Sequence, residues 1–207
     1  NYAADFLDDS GTAFGLMGVQ AAFIIANNGE HEQFSQEIKF TSDFADDAAH
    51  FVGGLFYMKE DNTTNFTDWL NFGGLVAFDV RAPLKNTTES FALYGQFDFN
   101  VTDKLGFLAG GRWTDEEKDF SLDGALSFVP VDNDDLIAAG IPLEQSVDKF
   151  TYKLGVDYQF TDDIMSYLTY TTGFKSGGWN ARGFSPEELQ AFRPEEVTSY
   201  ELGLRSE

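Results

Sequence analysis

From residue 88 onward, apolar and polar side chains alternate through segments of about ten residues, the period of a strand whose two faces meet different surroundings. The clearest segment runs from Glu89 to Phe99, with Phe91, Leu93, Gly95, Phe97 and Phe99 on one side and Ser90, Ala92, Tyr94, Gln96 and Asp98 on the other. Phe150 to Phe160 repeats it, setting Phe150, Tyr152, Leu154, Val156, Tyr158 and Phe160 against Thr151, Lys153, Gly155, Asp157 and Gln159. Phe34, Ile38 and Phe40 alternate with Ser35, Glu37, Lys39 and Thr41, as do Thr198, Tyr200, Leu202 and Leu204 with Ser199, Glu201, Gly203 and Arg205. His50 to Asn62, Leu105 to Phe120 and Ile164 to Lys175 read as strands with less distinct faces. The pattern predicts an all-β chain of about seven strands.

A soluble β-sandwich alternates too, so the connections must separate water from membrane. Asp43 to Ala49, Thr102 to Lys104 and Thr161 to Asp163 are short and carry turn-forming residues,. Thr63 to Thr88, Ser121 to Val147 and Ser176 to Glu196 are long. Strict alternation of short and long links is what an up-and-down meander gives when its tight turns share one end and its loops the other. A ten-residue strand rises about 33 Å and, tilted near 40°, spans about 25 Å, the apolar band of an outer-membrane barrel. Phe97, Phe99, Tyr158 and Phe160 fall just before short turns, and Trp113, Phe174 and Trp179 toward the long links, as two aromatic girdles would place them. The expected fold is a transmembrane antiparallel up-and-down β-barrel wall with long extracellular loops and short periplasmic turns.

Composition narrows the function classes. No apolar run approaches the roughly 18 residues of a membrane helix. Cysteine is absent, which removes disulfide scaffolds and thiolate metal sites. A net charge of −22 and a pI near 4.1 exclude nucleic acid as a partner, because phosphate binding needs clustered Lys and Arg. The first residue, Asn1, has no leader pattern behind it, which reads as a chain processed or taken from a longer one.

The wording of the strands resembles a known family. Gln33-Phe34-Ser35-Gln36-Glu37-Ile38-Lys39-Phe40-Thr41-Ser42, Gly53-Gly54-Leu55-Phe56-Tyr57, the stretch Tyr94 to Leu105, Ala109-Gly110-Gly111-Arg112-Trp113-Thr114-Asp115-Glu116, Gly173-Phe174-Lys175-Ser176-Gly177-Gly178-Trp179-Asn180 and the stretch Pro194 to Leu204 are similar, in that order, to the barrel of proteobacterial TonB-dependent receptors. That resemblance covers residues 33–207. Residues 1–32 match no such wording and are expected to be an extracellular loop region. The resemblance implies a barrel of about 22 strands around a plug, and hence that this chain is an internal fragment whose plug, TonB box and remaining strands lie elsewhere. It implies location in the bacterial outer membrane, contact with lipid and lipopolysaccharide, and coupling to the TonB-ExbB-ExbD complex through the N-terminal part of such a receptor. The implied cargo is a scarce nutrient: a ferric siderophore by family default, with cobalamin, haem or an oligosaccharide as the other classes.

No catalytic constellation stands against this reading. His31 and His50 are the only histidines and have no ligand spacing,. Asp132-Asn133-Asp134-Asp135 lacks the Gly and Glu of a calcium loop, which Ile137 and Leu143 replace,; a solvated loop with a helical turn over Asp134 to Ala139 before Gly140 is expected instead. Asn62, Asn65, Asn86 and Asn100 start Asn-x-Thr patterns that carry no meaning in a bacterial barrel. Gly173, Gly177 and Gly178 lack the strand-to-helix context of a phosphate loop. Neither a nucleophile elbow nor a Ser-His-Asp order is present, so no enzyme and no cofactor is expected.

Binding residues concentrate on loops above a rigid scaffold. The long links offer Trp69, Phe72, Arg81, Trp179, Arg182 and Arg193 as candidate substrate contacts through stacking and charge. The same side chains could instead pack the loops on one another, and both readings stand. Loop acidity favours a neutral or cation-bearing ligand over a strongly anionic one. A passive porin and a soluble β-sandwich are the rival readings; burial of Phe91, Leu93, Phe97 and Leu154 in a closed core would decide for the sandwich.

Overall fold

A computed structural model describes residues 2–8, 21–45, 48–72, 77–122, 124–126, 129–180 and 185–206. Eight strands form one antiparallel sheet in chain order: β1 (Tyr2–Asp8), β2 (Ala21–Phe44), β3 (Ala49–Phe72), β4 (Ala77–Thr102), β5 (Leu105–Leu122), β8 (Glu144–Thr161), β9 (Ile164–Lys175) and β12 (Glu195–Ser206). Between β5 and β8 lie the ribbon β6 (Gly124–Leu126) with β7 (Val129–Val131) and the helix α1 (Asn133–Ala138). Between β9 and β12 lie β10 (Gly178–Trp179), a 3₁₀ turn Pro186–Glu188, and β11 (Ala191–Phe192), which pairs with β10.

The meander follows the predicted order, but its strands reach further than the hydrophobic alternation. Most of the link Thr63 to Thr88 is strand, since β3 runs to Phe72 and β4 begins at Ala77. The stretch 1–32, expected as loop, contains β1 and the first half of β2, paired from Ala21 to Phe72 onward. The period is lost there because Ala21 to Ala26 is a continuous apolar run and Asn27 to Glu32 a nearly continuous polar one, neither of which alternates. At ~3.3 Å per residue and a tilt near 40°, 24 residues rise about 60 Å, more than twice the roughly 25 Å apolar band,.

Register divides the residues cleanly. Row after row on one face is apolar: Ile38, Leu55, Leu93, Trp113 and Phe150 are successive cross-strand partners, as are Phe44, Ala49, Phe99, Phe107, Val156, Leu168 and Leu202. Apart from Ala49, which its larger neighbours cover, this face is open to the surroundings: Phe91 is 40% exposed, Leu93 53%, Phe97 41% and Leu154 49%. No second sheet covers them among the described residues, so this is the lipid face, and the soluble sandwich is excluded. At its outer border Tyr57 donates to Glu89 at 2.8 Å and the Trp113 indole N–H to Asp148 at 2.9 Å, rings in the band with polar tips toward water.

The opposite face is polar. Tyr94 crosses its partner Gly54 on β3 and donates to Glu37 on β2 at 2.8 Å. A Cβ on Gly54 would strike both the Ile38 carbonyl and the Tyr94 hydroxyl, so glycine is required there,. Tyr167 repeats the arrangement over Gly203, donating to Glu201 at 2.6 Å.

The short turns close by a shared device. Thr102 Oγ1 accepts from the Lys104 and Leu105 backbone N–H groups at 3.2 and 3.0 Å, and Thr161 Oγ1 from Asp163 N–H at 3.3 Å,. The third turn carries Ala45 at φ 55°, with the Asp43 carboxylate against the His50 ring.

Two outcomes follow in the intact barrel. Phe40→Arg, on the lipid face midway between the Tyr57 and Phe99 rows, should destabilise insertion by about 2–4 kcal/mol in urea titrations from phospholipid vesicles. Thr102→Val should cost about 1 kcal/mol in the same titration, because two turn N–H groups lose a local acceptor but regain water.

Candidate functional site

The polar face carries a cavity of about 750 Å³ above the Tyr57 row and beneath the two folded loop segments. Its floor is β4, through the inward residues Ser90, Thr88 and, toward the loops, Asn86 and Leu84, with Ala92 next on the same face. Ala92, Ser90, Thr88 and Leu84 are all buried. Larger partners flank them on either side. Phe56 and Thr114 flank Ala92, Met58 and Glu116 flank Ser90, Glu60 and Lys118 flank Thr88, and Asn62 and Phe120 flank Asn86. Short polar residues along one strand between mostly larger ones on its neighbours make a trough, about 20 Å long over the six steps from Leu84 to Ser90,.

The trough sets Arg112, Lys118 and Lys175 against Glu60 and Glu116. Lys118 Nζ lies 3.4 Å from Glu116 Oε1 and donates to the Gly177 carbonyl at 3.1 Å. Arg112 lies over the Phe56 ring at 5.4 Å and the Tyr94 ring at 6.0 Å, and its Nε donates to Thr114 Oγ1 at 3.1 Å,. Asn62 Nδ2 donates to Glu60, and Thr88 Oγ1 donates to Asn86 Oδ1 at 3.3 Å.

Above the trough the loops form a small apolar core of their own. Leu84, Phe120, Leu122, Val131, Leu136, Ile141, Trp179 and Leu189 pack together. Trp179 stacks on Phe120 with centroids 5.1 Å apart and rings 14° from parallel, and its indole N–H donates to the Pro142 carbonyl at 2.6 Å. Gln145 Nε2 reaches across to the Gly178 carbonyl at 2.8 Å. A Cβ on Gly177 would strike Gln145 and the Phe192 carbonyl, so this glycine permits the close approach of the two loops,. Helix α1 starts in a capping box: Asp132 accepts from the Asp134 and Asp135 N–H groups at 2.9 and 3.1 Å, and Asp135 accepts from Asp132 N–H at 3.1 Å,. It ends before Gly140 at φ 79°,. The acidic run thus builds the helix anticipated there.

Of the six loop residues singled out by sequence, two have described side chains. Trp179 is 8% exposed and belongs to the cap core, at the edge of the trough. Arg193 is exposed and borders a second cleft of about 560 Å³ between α1's trailing segment and the 3₁₀ turn. The β10–β11 ribbon, which pairs Trp179 with Ala191, ends at Phe192, just before Arg193. For Trp69, Phe72 and Arg81 the structure gives strand register alone: Trp69 pairs with Asp79, Thr67 with Arg81, and Ala21 with Phe72. Arg182 lies outside the described residues. Sequence reasoning passed over Asn86, Thr88, Ser90, Arg112, Thr114 and Lys118, because it searched loops and these line the trough from strands. The available signal was the even-numbered, polar half of each alternating segment above the aromatic rows.

The register also redistributes the acidity read from composition. Glu32, Asp61, Glu89, Asp115, Glu117, Asp119, Glu144 and Asp148 share the outward face with the lipid-facing rows, just beyond the Tyr57 row. They surround the wall rather than line the trough. His31 Nδ1 meets Asn62 Oδ1 at 2.6 Å.

Comparison with known proteins agrees with this architecture. The ferric yersiniabactin uptake receptor FyuA from Yersinia pestis superposes with a TM-score of 0.75 at 19% identity, over 91% of this chain and 30% of that one. The ferric-catecholate import receptor Fiu from E. coli gives 0.59 at 17%, over 91% and 29%. The alcaligin outer-membrane receptor FauA from Bordetella pertussis gives 0.56 at 17%, over 99% and 33%. At these identities the likeness is one of fold, and the chain spans about a third of each receptor's length. The family model described as TonB dependent receptor-like, beta-barrel, matches residues 1–206, so the first 32 residues, which resembled no known wording, fall within the match. With an oily outer face, a polar inner face and this match along its length, the chain belongs to the β-barrel of the TonB-dependent receptors, an outer-membrane receptor family rather than an enzyme family.

Proposed function

We propose that this chain serves the energised uptake of a scarce nutrient, forming part of the wall and mouth of a TonB-dependent receptor. The observation that carries the reading is a polar trough above the outer aromatic row, roofed by a folded cap, on a sheet whose other face is made for lipid. A passive porin needs an unobstructed mouth, whereas a receptor needs a place to hold its cargo before passage. Binding and passage, with no chemistry on the cargo, are the role.

The names of the three structural neighbours support a ferric siderophore as the cargo class, ahead of cobalamin, haem or an oligosaccharide. The partners of the whole receptor would be outer-membrane lipid and lipopolysaccharide, its own plug and remaining strands, and the TonB-ExbB-ExbD complex. Trp69, Phe72, Arg81, Trp179, Arg182 and Arg193 are the proposed contacts at the mouth. Trp179 would act by holding Phe120 in the trough wall.

In cells carrying the full-length receptor, collapse of the proton gradient should stop accumulation of a radiolabelled cargo and leave surface binding intact. Unchanged accumulation would point to a passive pore. Trp179→Ala should weaken cargo binding about tenfold in titrations of the purified receptor, the effect of losing a central aromatic anchor, with barrel stability in urea retained.

A further inference from the structure

We propose, resting on the uptake reading, that the β9–β12 hairpin is a hinged leaf of the wall, which carries the trough's roof and opens the trough by swinging away from β8 above Thr172. The place where strand pairing stops carries the inference. Against β5, β8 is paired from Tyr158 up to Glu144, the partner of Asp119. Against β9 it is paired only up to Lys153, the partner of Thr171, whereas β9 stays paired with β12 up to Lys175 and Glu195. Above Lys153 the sheet therefore divides into two leaves, one ending at β8 and one made of β9 and β12. At the division a side chain replaces a strand partner: Thr172 Oγ1 accepts from the Tyr152 backbone N–H at 2.9 Å and donates to the Tyr152 carbonyl at 3.4 Å. Tyr152 shares its row with Gly111, Gly95, Gly53 and Phe40, midway up the lipid face. The interruption thus begins inside the band, where lipid cannot replace a lost ladder bond. An interruption kept in spite of that cost marks a hinge.

Above the hinge the leaves are joined by side chains. Lys118 and Gln145 donate to the Gly177 and Gly178 carbonyls, Trp179 stacks on Phe120 and donates to the Pro142 carbonyl, and Lys149 pairs with Glu196. The leaf itself is stiff, because β12 pairs with β9 without a break from Ser206 to Glu195, β10 pairs with β11, and the Asn180 N–H donates to the Gln190 carbonyl at 3.0 Å. It supplies Phe174, Gly178, Trp179 and Phe192 to the trough, whereas the floor residues Leu84, Asn86, Thr88 and Ser90 belong to the other leaf. Opening therefore exchanges a few side-chain contacts, unzips no ladder, and leaves the floor in place.

The test reads opening without any cargo or proton gradient, so it stands or fails apart from the uptake experiment. Ser90 is 4% exposed on the trough floor, and the chain has no cysteine of its own. In the full-length receptor, otherwise free of cysteine, Ser90→Cys is labelled on whole cells with a membrane-impermeant methanethiosulfonate. Thr172→Val, at the hinge and outside the trough lining, should raise the labelling rate about threefold, the net worth of one local hydrogen bond. Trp179→Ala should raise it about tenfold or more, since a ring stack and a hydrogen bond are lost together. Motion of the leaf is read separately, from nitroxides at Asp119→Cys beside β8 and Glu187→Cys on the roof of the purified receptor. Both variants should enlarge a longer-distance population, while a control pair at Asp61→Cys and Asp119→Cys stays as it was. Lys149→Gln, which breaks the Glu196 pair on the wall, should do the same even if Trp179→Ala fails to fold. Unchanged labelling in Thr172→Val and Lys149→Gln overturns the proposal, as does faster labelling with an unchanged Asp119–Glu187 distance, which would mean a leaking roof on a fixed wall.

Discussion

Hydrocarbon supplies no hydrogen bonds, so a strand crossing a membrane must find every backbone partner on its neighbours. This constraint explains the molecule's simplest feature, a meander in which consecutive main-sheet strands pair side by side without a crossover. Pairing is continuous from Ala21 to Phe44 against β3 and from Ala49 to Asn71 against β4. The register irregularities flanking the short turns, at Asn100/Thr102 and Gln159/Thr161, fall at the strand ends, beyond the apolar rows. With the backbone satisfied by neighbours, side chains are free to differ completely between the two faces. That freedom produces the period-two pattern.

The same logic sets what could be read from sequence. Within the band, where one face meets lipid and the other a polar interior, alternation is strong, and Glu89 to Phe99 and Phe150 to Phe160 mark the central stretches of β4 and β8, whose starts at Ala77 and Glu144 lie 12 and 6 residues earlier. Outside those stretches, Ala21 to Glu32 and Thr63 to Phe72 show no alternation while keeping the strand register. Strand pairing persists because a neighbour is already in register, a cause that no single segment reveals. The helix at Asn133–Ala138 was legible because its cap is local: Asp132 and Asp135 need only each other's backbone, and Gly140 ends it.

The candidate site divides along similar lines. Trp179 stands out in sequence as a tryptophan in a glycine-rich link, yet its place is set by Phe120, Pro142 and Gln145, residues 34–59 positions away. Its neighbours make it part of the roof. The trough floor was illegible because Asn86, Thr88 and Ser90 are unremarkable polar residues individually. They become a surface only when register sets them between Asn62, Glu60 and Met58 on one side and Phe120, Lys118 and Glu116 on the other.

Charge shows the same dependence on register most sharply. A net charge of −22 read as a property of the mouth predicts a repulsive field for any anion. The strand register instead sends a belt of carboxylates outward, beyond the aromatic border, where water and headgroups solvate them and the apolar rows below stay free of charge. The inner wall meanwhile pairs Lys118 with Glu116 and shields Arg112 with rings. A field inside a site depends on which charges face it and how well they are compensated, and total charge fixes neither. In this wall carboxylates stand on both faces, the belt outward and Glu37, Glu60, Asp98, Glu116, Asp157 and Glu201 inward, so the field in the trough is set by the few ions that line it rather than by the total.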